Sequence, residues 1–329
     1  MIAGNNRAGK RYDVYGIGNA LVDYISFVDD QFLIDKSIGK GIMTLVGKSA
    51  HETLEGLRAH EVKRCSGGSA ANTITGLAAL GGRGCYSGKV GNDELGRFYR
   101  EDLTQAGIDF YVEPDTLPTG SCVSFVTPDA ERSMLTFLGA STYLTDADIH
   151  LEALAQSQFL YLEGYLWDSP KARSAAVRAL DAAKRSDVQI AFSFSDAWLV
   201  GRFRDDFVRL IGEYVDVLFL NARESEEITG FQDPQMAARQ IASRVPSICL
   251  TCGASGAITV ADGHLRMTPA LPVTKVVDTT GAGDLYAAGV LRGLTSGFDL
   301  VTSSMIGARA AAAIVAKVGA RLDRDDLRG

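Results

Sequence analysis

The chain has 329 residues, 46% hydrophobic and 22% charged, with 35 glycines, eight prolines and five cysteines. That composition excludes a disordered, collagen-like or coiled-coil chain, and the length allows a large buried core. A net charge of −7, from 40 acidic and 33 basic residues, argues against nucleic acid as the main partner.

Met1 to Arg11 is polar and carries no apolar core of a leader peptide. No stretch approaches the ~18 apolar residues needed to span a bilayer. Cys65, Cys85, Cys122, Cys249 and Cys252 are odd in number and scattered, as reduced thiols are. The C-x-x-C of Cys249 and Cys252 ends an apolar strand-like run rather than opening a helix, so it is read as packing. A cytoplasmic protein is expected, without membrane or nucleic-acid partners.

Val14–Gly18 predicts a first core strand and Leu21–Val28 a second, outlying one. Gly67-Gly68-Ser69-Ala70-Ala71-Asn72 then leads into a helix of small residues that stops at Gly81-Gly82. Asn72 is a poor helix former near the start of that helix. Its amide could bracket two sugar hydroxyls, or simply be solvated. Ser121–Thr127 and Arg132–Leu138 flank the turn Pro128-Asp129-Ala130-Glu131. With Leu21–Val28 they form a small sheet standing off the main one, a β lid built from about 21–45 and 108–140.

From Phe159 onward the pattern becomes regular. Phe159–Glu163, Val188–Phe194, Val215–Asn221 and Ser247–Thr251 are apolar runs of the kind buried on both faces. Between them lie helices, the first capped by Ser169 with Pro170 at its first position and running to Arg185, then Gly201–Glu213 and Pro234–Arg244. Strand–helix–strand repetition predicts an α/β fold: a doubly wound, mostly parallel sheet with helices on both faces. Residues 320–329 read as a loosely ordered, charged C-terminal tail.

Val276-Val277-Asp278-Thr279-Thr280-Gly281-Ala282-Gly283-Asp284 reads as strand, glycine-rich turn and helix start. Such a turn exposes backbone N–H groups at the positive end of a helix, which makes an anion site. The carboxylate of Asp284 is poorly suited to bind phosphate but well suited to take a proton from a hydroxyl attacking it. Capping of the helix explains G-A-G-D equally well when it is taken alone. Gly16-Ile17-Gly18-Asn19 lacks the third glycine of a dinucleotide fingerprint, which disfavours an oxidoreductase. Asn221-Ala222-Arg223-Glu224 falls at the carboxyl end of a strand, where open α/β sheets bind ligands. Glu224 there could organise Mg²⁺ through water, or be one of several solvated acids.

Four of these segments, in this order, resemble the PfkB (ribokinase-like) family of carbohydrate and nucleoside kinases. They are G-G-x-x-x-N at Gly67–Asn72, N-x-x-E at Asn221–Glu224, T-x-G-x-x-G at Thr251–Gly256 and D-T-T-G-A-G-D at Asp278–Asp284. The resemblance covers about Tyr12 to Gly319, and it implies a ribokinase-like kinase domain over 12–319. It implies Asp284 as the base, with Gly281, Ala282 and Gly283 presenting the anion hole. Arg132 becomes the lid arginine that reaches the transferring phosphate. Asn221, Glu224, Thr251, Gly253, Gly256 and Thr279 hold ATP, with Mg²⁺ on Glu224 through water. A monovalent cation would sit near Asp278.

Within the family, Gly18-Asn19-Ala20-Leu21-Val22-Asp23 is similar to the opening G-N-x-x-x-D of adenosine kinases and bacterial adenosine-kinase-like proteins. By that similarity Asn19, Asp23, Gly67, Gly68 and Asn72 contact ribose. Tyr165 and Leu166, with Met134 and Leu138 from the lid, flank the base. The implied activity is transfer of the γ-phosphoryl of ATP to a primary hydroxyl, foremost the 5′-OH of adenosine to give AMP. The alternatives are a sugar or sugar-acid kinase (ribose, fructose or 2-keto-3-deoxygluconate) and a nucleoside-binding protein without catalysis. Both monomer and homodimer are compatible with a small exposed sheet.

Overall fold

The structure is a computed structural model that describes residues 9–47, 63–129, 131–322 and 326. Its main sheet has nine strands in the order β14-β13-β12-β11-β10-β9-β1-β5-β6. The strands are β1 (Tyr12–Ile17), β5 (Gly84–Ser87), β6 (Asp109–Phe110), β9 (Ser157–Glu163), β10 (Gln189–Ser193), β11 (Val217–Asn221), β12 (Ser247–Thr251), β13 (Ala257–Ala261) and β14 (His264–Thr268). All neighbours pair parallel except β12–β13 and β13–β14, which close one edge antiparallel.

Alternation along these strands builds two cores. Leu160, Leu162, Ile190, Phe192, Leu218 and Leu220 face the helices Pro170–Arg185, Arg204–Glu213 and Pro234–Ile241. Phe159, Tyr161, Ala191, Val217 and Phe219 face the other side, where the Ser69–Ala79, Glu94–Gln105 and Ala282–Thr295 helices pack. Strands buried on both faces leave their carboxyl ends as the place for polar chemistry. Strand order reverses around β1, which opens a crevice beside β9 at that end.

The second sheet has five strands, β3-β8-β7-β2-β4. It comprises β2 (Leu21–Phe27), β3 (Met43–Leu45), β4 (Lys63–Gly67), β7 (Gly120–Val126) and β8 (Arg132–Phe137). The hairpin β7–β8 matches the expectation around the Pro128 turn. Other boundaries differ. Lys63–Gly67 is an edge strand antiparallel to β2, although its polar start gives no strand pattern. The stretch expected to begin the lid at 108 instead continues the main sheet. Asp109–Phe110 pairs with Cys85 and Tyr86, and Phe110 stacks on Tyr86 at 6.0 Å.

The helix expected over Gly201–Glu213 is two, Ala197–Arg202 and Arg204–Glu213, broken at Phe203, whose ring lies under the guanidinium groups of Arg173 and Arg202. The tail is not loose at its beginning, because Ala320 and Leu322 are buried and Arg321 is hydrogen-bonded; residues 323–325 and 327–329 lie outside the described residues. All five cysteines are free, and four are buried. Among the described residues, no helix is long and apolar enough to cross a membrane.

Candidate active site

Two cavities open at the carboxyl ends of the main sheet and meet at Ser69, Ser195, Gly281 and Asp284. The first, of about 240 Å³, lies between the two sheets. Asn19, Asp23, Gly68 and Asn72 line one side of it. Met43, Leu45, Met134, Leu138, Tyr165 and Trp198 line another. The second, of about 270 Å³, is walled by Asn221, Glu224, Thr251, Thr279 and the Gly281–Asp284 turn.

Asp284 sits in the first turn of the Ala282–Thr295 helix, and both carboxylate oxygens are engaged. Ser69 Oγ donates to one at 2.7 Å and Asn72 Nδ2 to the other at 2.9 Å. Burial raises its pKa above the ordinary value, opposed by these two donors and by Arg321 and Arg132. Asn72 therefore presents its amide to the carboxylate rather than bracketing two hydroxyls. Its Oδ1 is left buried with no partner, so one acceptor remains for an incoming hydroxyl.

Backbone geometry explains the glycines around this carboxylate. Gly281 caps the helix at φ 72°, and a Cβ on it would lie 2.6 Å from that of Ala320. Gly283 is the opposite case: a Cβ there would meet nothing within 4 Å, because the second cavity lies in front of it. Gly68, at φ 98°, presses on the carbonyl of Asn19, while Gly67 leaves room for the Asp23 carboxylate, 2.2 Å from where a Cβ would be. Asp23 is held within the small sheet between Cys65 of β4 and Cys122 of β7. Burial pushes its pKa up to about 6, against the pull of Arg132 and Arg321.

Arg132 lines the first cavity, with Nη2 donating to Ser124 Oγ at 2.7 Å and Nε 3.8 Å from Asp278. Asp278, expected near a monovalent cation, is fully buried and committed to the protein itself. It accepts from the Thr280 N–H at 2.9 Å, the Thr280 hydroxyl and the Gly319 N–H at 2.8 Å.

In the second cavity Asn221 and Glu224 form a reciprocal helix cap. Asn221 Oδ1 accepts from the Glu224 N–H at 3.0 Å, and the Glu224 carboxylate accepts from the Asn221 N–H and Nδ2 at 2.9 and 2.7 Å. Burial pushes Glu224 up to about 7. No cluster of three or more His, Cys, Asp or Glu side chains able to hold a metal occurs among the described residues.

Three expectations fail on position. Gly67, the last residue of β4, lines neither cavity, whereas Gly68 lines the first. Leu166 is fully buried in the apolar core and lines neither cavity, because the 3-10 turn at Gly164–Asp168 turns it inward while Tyr165 faces the first cavity. Gly253 and Gly256 also line neither cavity; at φ 56° and 92° they form the turn from β12 to β13, and only Thr251 of that motif reaches the second cavity wall.

Sequence reasoning missed Glu163 and Ser195. Glu163, fully buried at the end of β9, accepts from the Asn19 and Ala70 N–H groups, both at 2.7 Å. It thus ties the loop after β1 to the start of the Ser69–Ala79 helix, and burial pushes it up to about 8. Ser195, at φ 70°, accepts from the Gly164 N–H at 2.9 Å and touches both cavities. A carboxylate closing an apolar strand was the one signal for Glu163.

The two cavities meet at a carboxylate in the first turn of a helix, within a fold of the ribokinase-like kind. Residues 36–327 match the pfkB family carbohydrate kinases, and the chain belongs to that family; it is a phosphotransferase with an alcohol acceptor. Adenosine kinase from Saccharomyces cerevisiae is 30% identical over 326 residues, covering 92% of this chain and 94% of the yeast protein. The crystal structure of adenosine kinase from Sinorhizobium meliloti superposes with a TM-score of 0.90 at 39% identity, covering 95% of this chain and 96% of that one. A probable sugar kinase protein from Rhizobium etli is as similar in fold, with a TM-score of 0.90 at 36% identity and 95% of each chain covered.

Proposed function

We propose that this kinase transfers the γ-phosphoryl of ATP to the 5′-hydroxyl of adenosine, giving AMP and ADP. The reading rests on one observation above the rest, the position of Asp284 where the two cavities meet, with donors fixing both of its oxygens. The acceptor lies in the first cavity with ribose hydroxyls toward Asp23, Asn19 and the free Oδ1 of Asn72. Its primary hydroxyl then faces Asp284, which takes the proton as the oxygen attacks phosphorus and ADP leaves. A carboxylate whose pKa burial has raised is the better base for that step. The N–H groups of Gly281 to Asp284 and the Arg132 guanidinium offset charge on the transferring group. The small sheet acts as a lid that keeps water from the phosphoryl.

The second cavity suits ATP with Mg²⁺. Glu224, buried on its wall beside Asn221, is already bound by two N–H donors, so it fits a metal held through water rather than directly. The ion would neutralise phosphate charge.

Adenosine is favoured over a free sugar by the lining of the first cavity. Met43, Leu45, Met134, Leu138, Tyr165 and Trp198 offer faces for a purine. A sugar carries hydroxyls around its ring, and each one buried there unpaired costs about 1–3 kcal/mol. The similarity to adenosine kinases points the same way. The test is ADP release with ATP and Mg²⁺ across adenosine, inosine, guanosine, cytidine, ribose, fructose and 2-keto-3-deoxygluconate. Turnover on adenosine above all others supports the reading, and chelating the metal abolishes it. Turnover on a sugar alone keeps the kinase and removes the purine.

A further inference from the structure

The residues just past the Leu300–Val315 helix touch β4, Asp278, the Gly281 turn and the start of the Ser69–Ala79 helix. Lys63 Nζ of β4 donates to the Val318 carbonyl at 3.2 Å, and the Gly319 N–H donates to Asp278 at 2.8 Å. Ala320 packs on Gly281 of the catalytic turn. Arg321 then reaches in the other direction. Its Nη1 donates to the Ala71 carbonyl at 3.1 Å, and its Nη2 donates to Ser66 Oγ at 2.5 Å and to the Ser66 carbonyl. Ser66 is itself fixed from behind, because its N–H (2.9 Å) and its hydroxyl both donate to Asp102.

Ser66 lies in β4, next to the Gly67 that seats Asp23, and Ala71 lies between the two residues that hold Asp284, Ser69 and Asn72. One guanidinium therefore bridges the small sheet and the first turn of the acceptor helix. We infer that Arg321 is a positioning residue, a C-terminal clamp whose fork holds the Ser69–Asn72 turn against β4 and so sets the aim of Asp284 and Asp23 at the acceptor. The inference rests on the kinase reading of this site. A planar fork suits the task because its two nitrogens reach acceptors on different elements at fixed separation, which an ammonium cannot do. Its charge also opposes the burial that disfavours the ionised forms of Asp23 and Asp284. The hydrogen bonds of Arg321 go to Ser66 and Ala71, neither of which lines the second cavity, so the inference separates the two substrates.

The experiment compares the full-length wild type with Arg321→Ala and Arg321→Lys. It reads kcat, KM for adenosine and for ATP, melting temperature, and amide exchange in peptides covering 64–73 and 222–229. Losing charge-assisted hydrogen bonds predicts an acceptor kcat/KM lower by about 10- to 100-fold for Arg321→Ala, with the KM for ATP within about twofold. Exchange in 64–73 should quicken while that in 222–229 stays as in the wild type. Lysine should recover part of the loss. Should the alanine variant fail to fold, the lysine variant carries the same comparison. An unchanged acceptor KM and kcat overturns the inference, and so do equal losses for both substrates with faster exchange in both peptides. If the wild type phosphorylates none of the acceptors, the kinase reading fails. The exchange comparison then still decides whether Arg321 holds the turn.

Discussion

Replacing Asp284 with asparagine separates chemistry from structure at this site. On the proposed role of Asp284, the change removes the proton acceptor while keeping shape and most hydrogen bonds. Ser69 can still donate to the new amide oxygen. Asn72, whose Oδ1 has no partner, can turn its amide to accept from the new NH₂. Burial already disfavours the ionised carboxylate, so a neutral amide removes a desolvation cost and the melting temperature should hold or rise. Turnover has no such compensation. A positioned general base is worth about 10²- to 10⁴-fold, which sets kcat near a thousandth of the wild type, a barrier higher by ~4 kcal/mol. Coupled ADP release measures the rate, and calorimetric titration with ATP measures binding. A variant that keeps more than about a tenth of the wild-type kcat would refute the role of base, since that is below the smallest effect expected. Loss of ATP affinity together with folding would refute it differently, by making Asp284 structural.

The other sites give sharper contrasts in pairs. Asp23→Ala should raise the acceptor KM by about 10- to 100-fold, the range for a charge-assisted hydrogen bond, and leave the KM for ATP alone; equal changes in both would remove Asp23 from the ribose contact. Gly283→Ala puts a methyl into open cavity space at a helical position, so the melting temperature should hold or rise slightly while the KM for ATP increases. Gly281→Ala should instead melt lower, from its positive φ and the Ala320 contact, and matched melting temperatures would contradict this account of the turn. Glu163 is pushed up to about 8 and Glu224 to about 7 by burial. The native state therefore holds protons that the unfolded chain has lost. Stability should fall as pH rises from about 4.5 to 8, by linkage. Glu163→Gln should flatten that slope in melting temperatures taken across the range, and an identical slope would place the dependence elsewhere.

What was readable in the chain was local. G-G-S-A-A-N and D-T-T-G-A-G-D each combine a glycine needed for backbone reasons with a polar side chain delivered within one helical turn, whereas the strand expected at Val276–Val277 is not formed, the chain running irregularly from His264–Thr268 to the Ala282–Thr295 helix. The parallel sheet was readable for the same reason, because strands buried on both faces read as unbroken apolar runs. The errors share the opposite property. Leu166 and Tyr165 are adjacent, and nothing in composition says which of them a short 3-10 turn sends into the core. Lys63–Gly67 is a strand only because β2 lies beside it. Glu163 looks like the end of an apolar run until β9 is set next to β1 and two backbone N–H groups converge on it.

Arg321 makes the same point from the far end of the chain. The sequence places it in a charged, loosely ordered tail, yet its partners Ser66 and Ala71 lie 255 and 250 residues earlier. Every motif in the site holds its own side chains in local geometry, but none fixes its distance to the next one. That distance is set by groups bridging separate elements: Glu163 between the β1 loop and the Ser69–Ala79 helix, Asp278 between Thr280 and Gly319, Arg321 between that helix and the small sheet. Each is an ionisable side chain bonded to backbone, because backbone is the part of the neighbouring element that cannot rotate away. If transfer depends on holding a hydroxyl against phosphorus, as a loose phosphoryl-transfer transition state requires, these bridges should govern kcat as strongly as the residues that touch substrate.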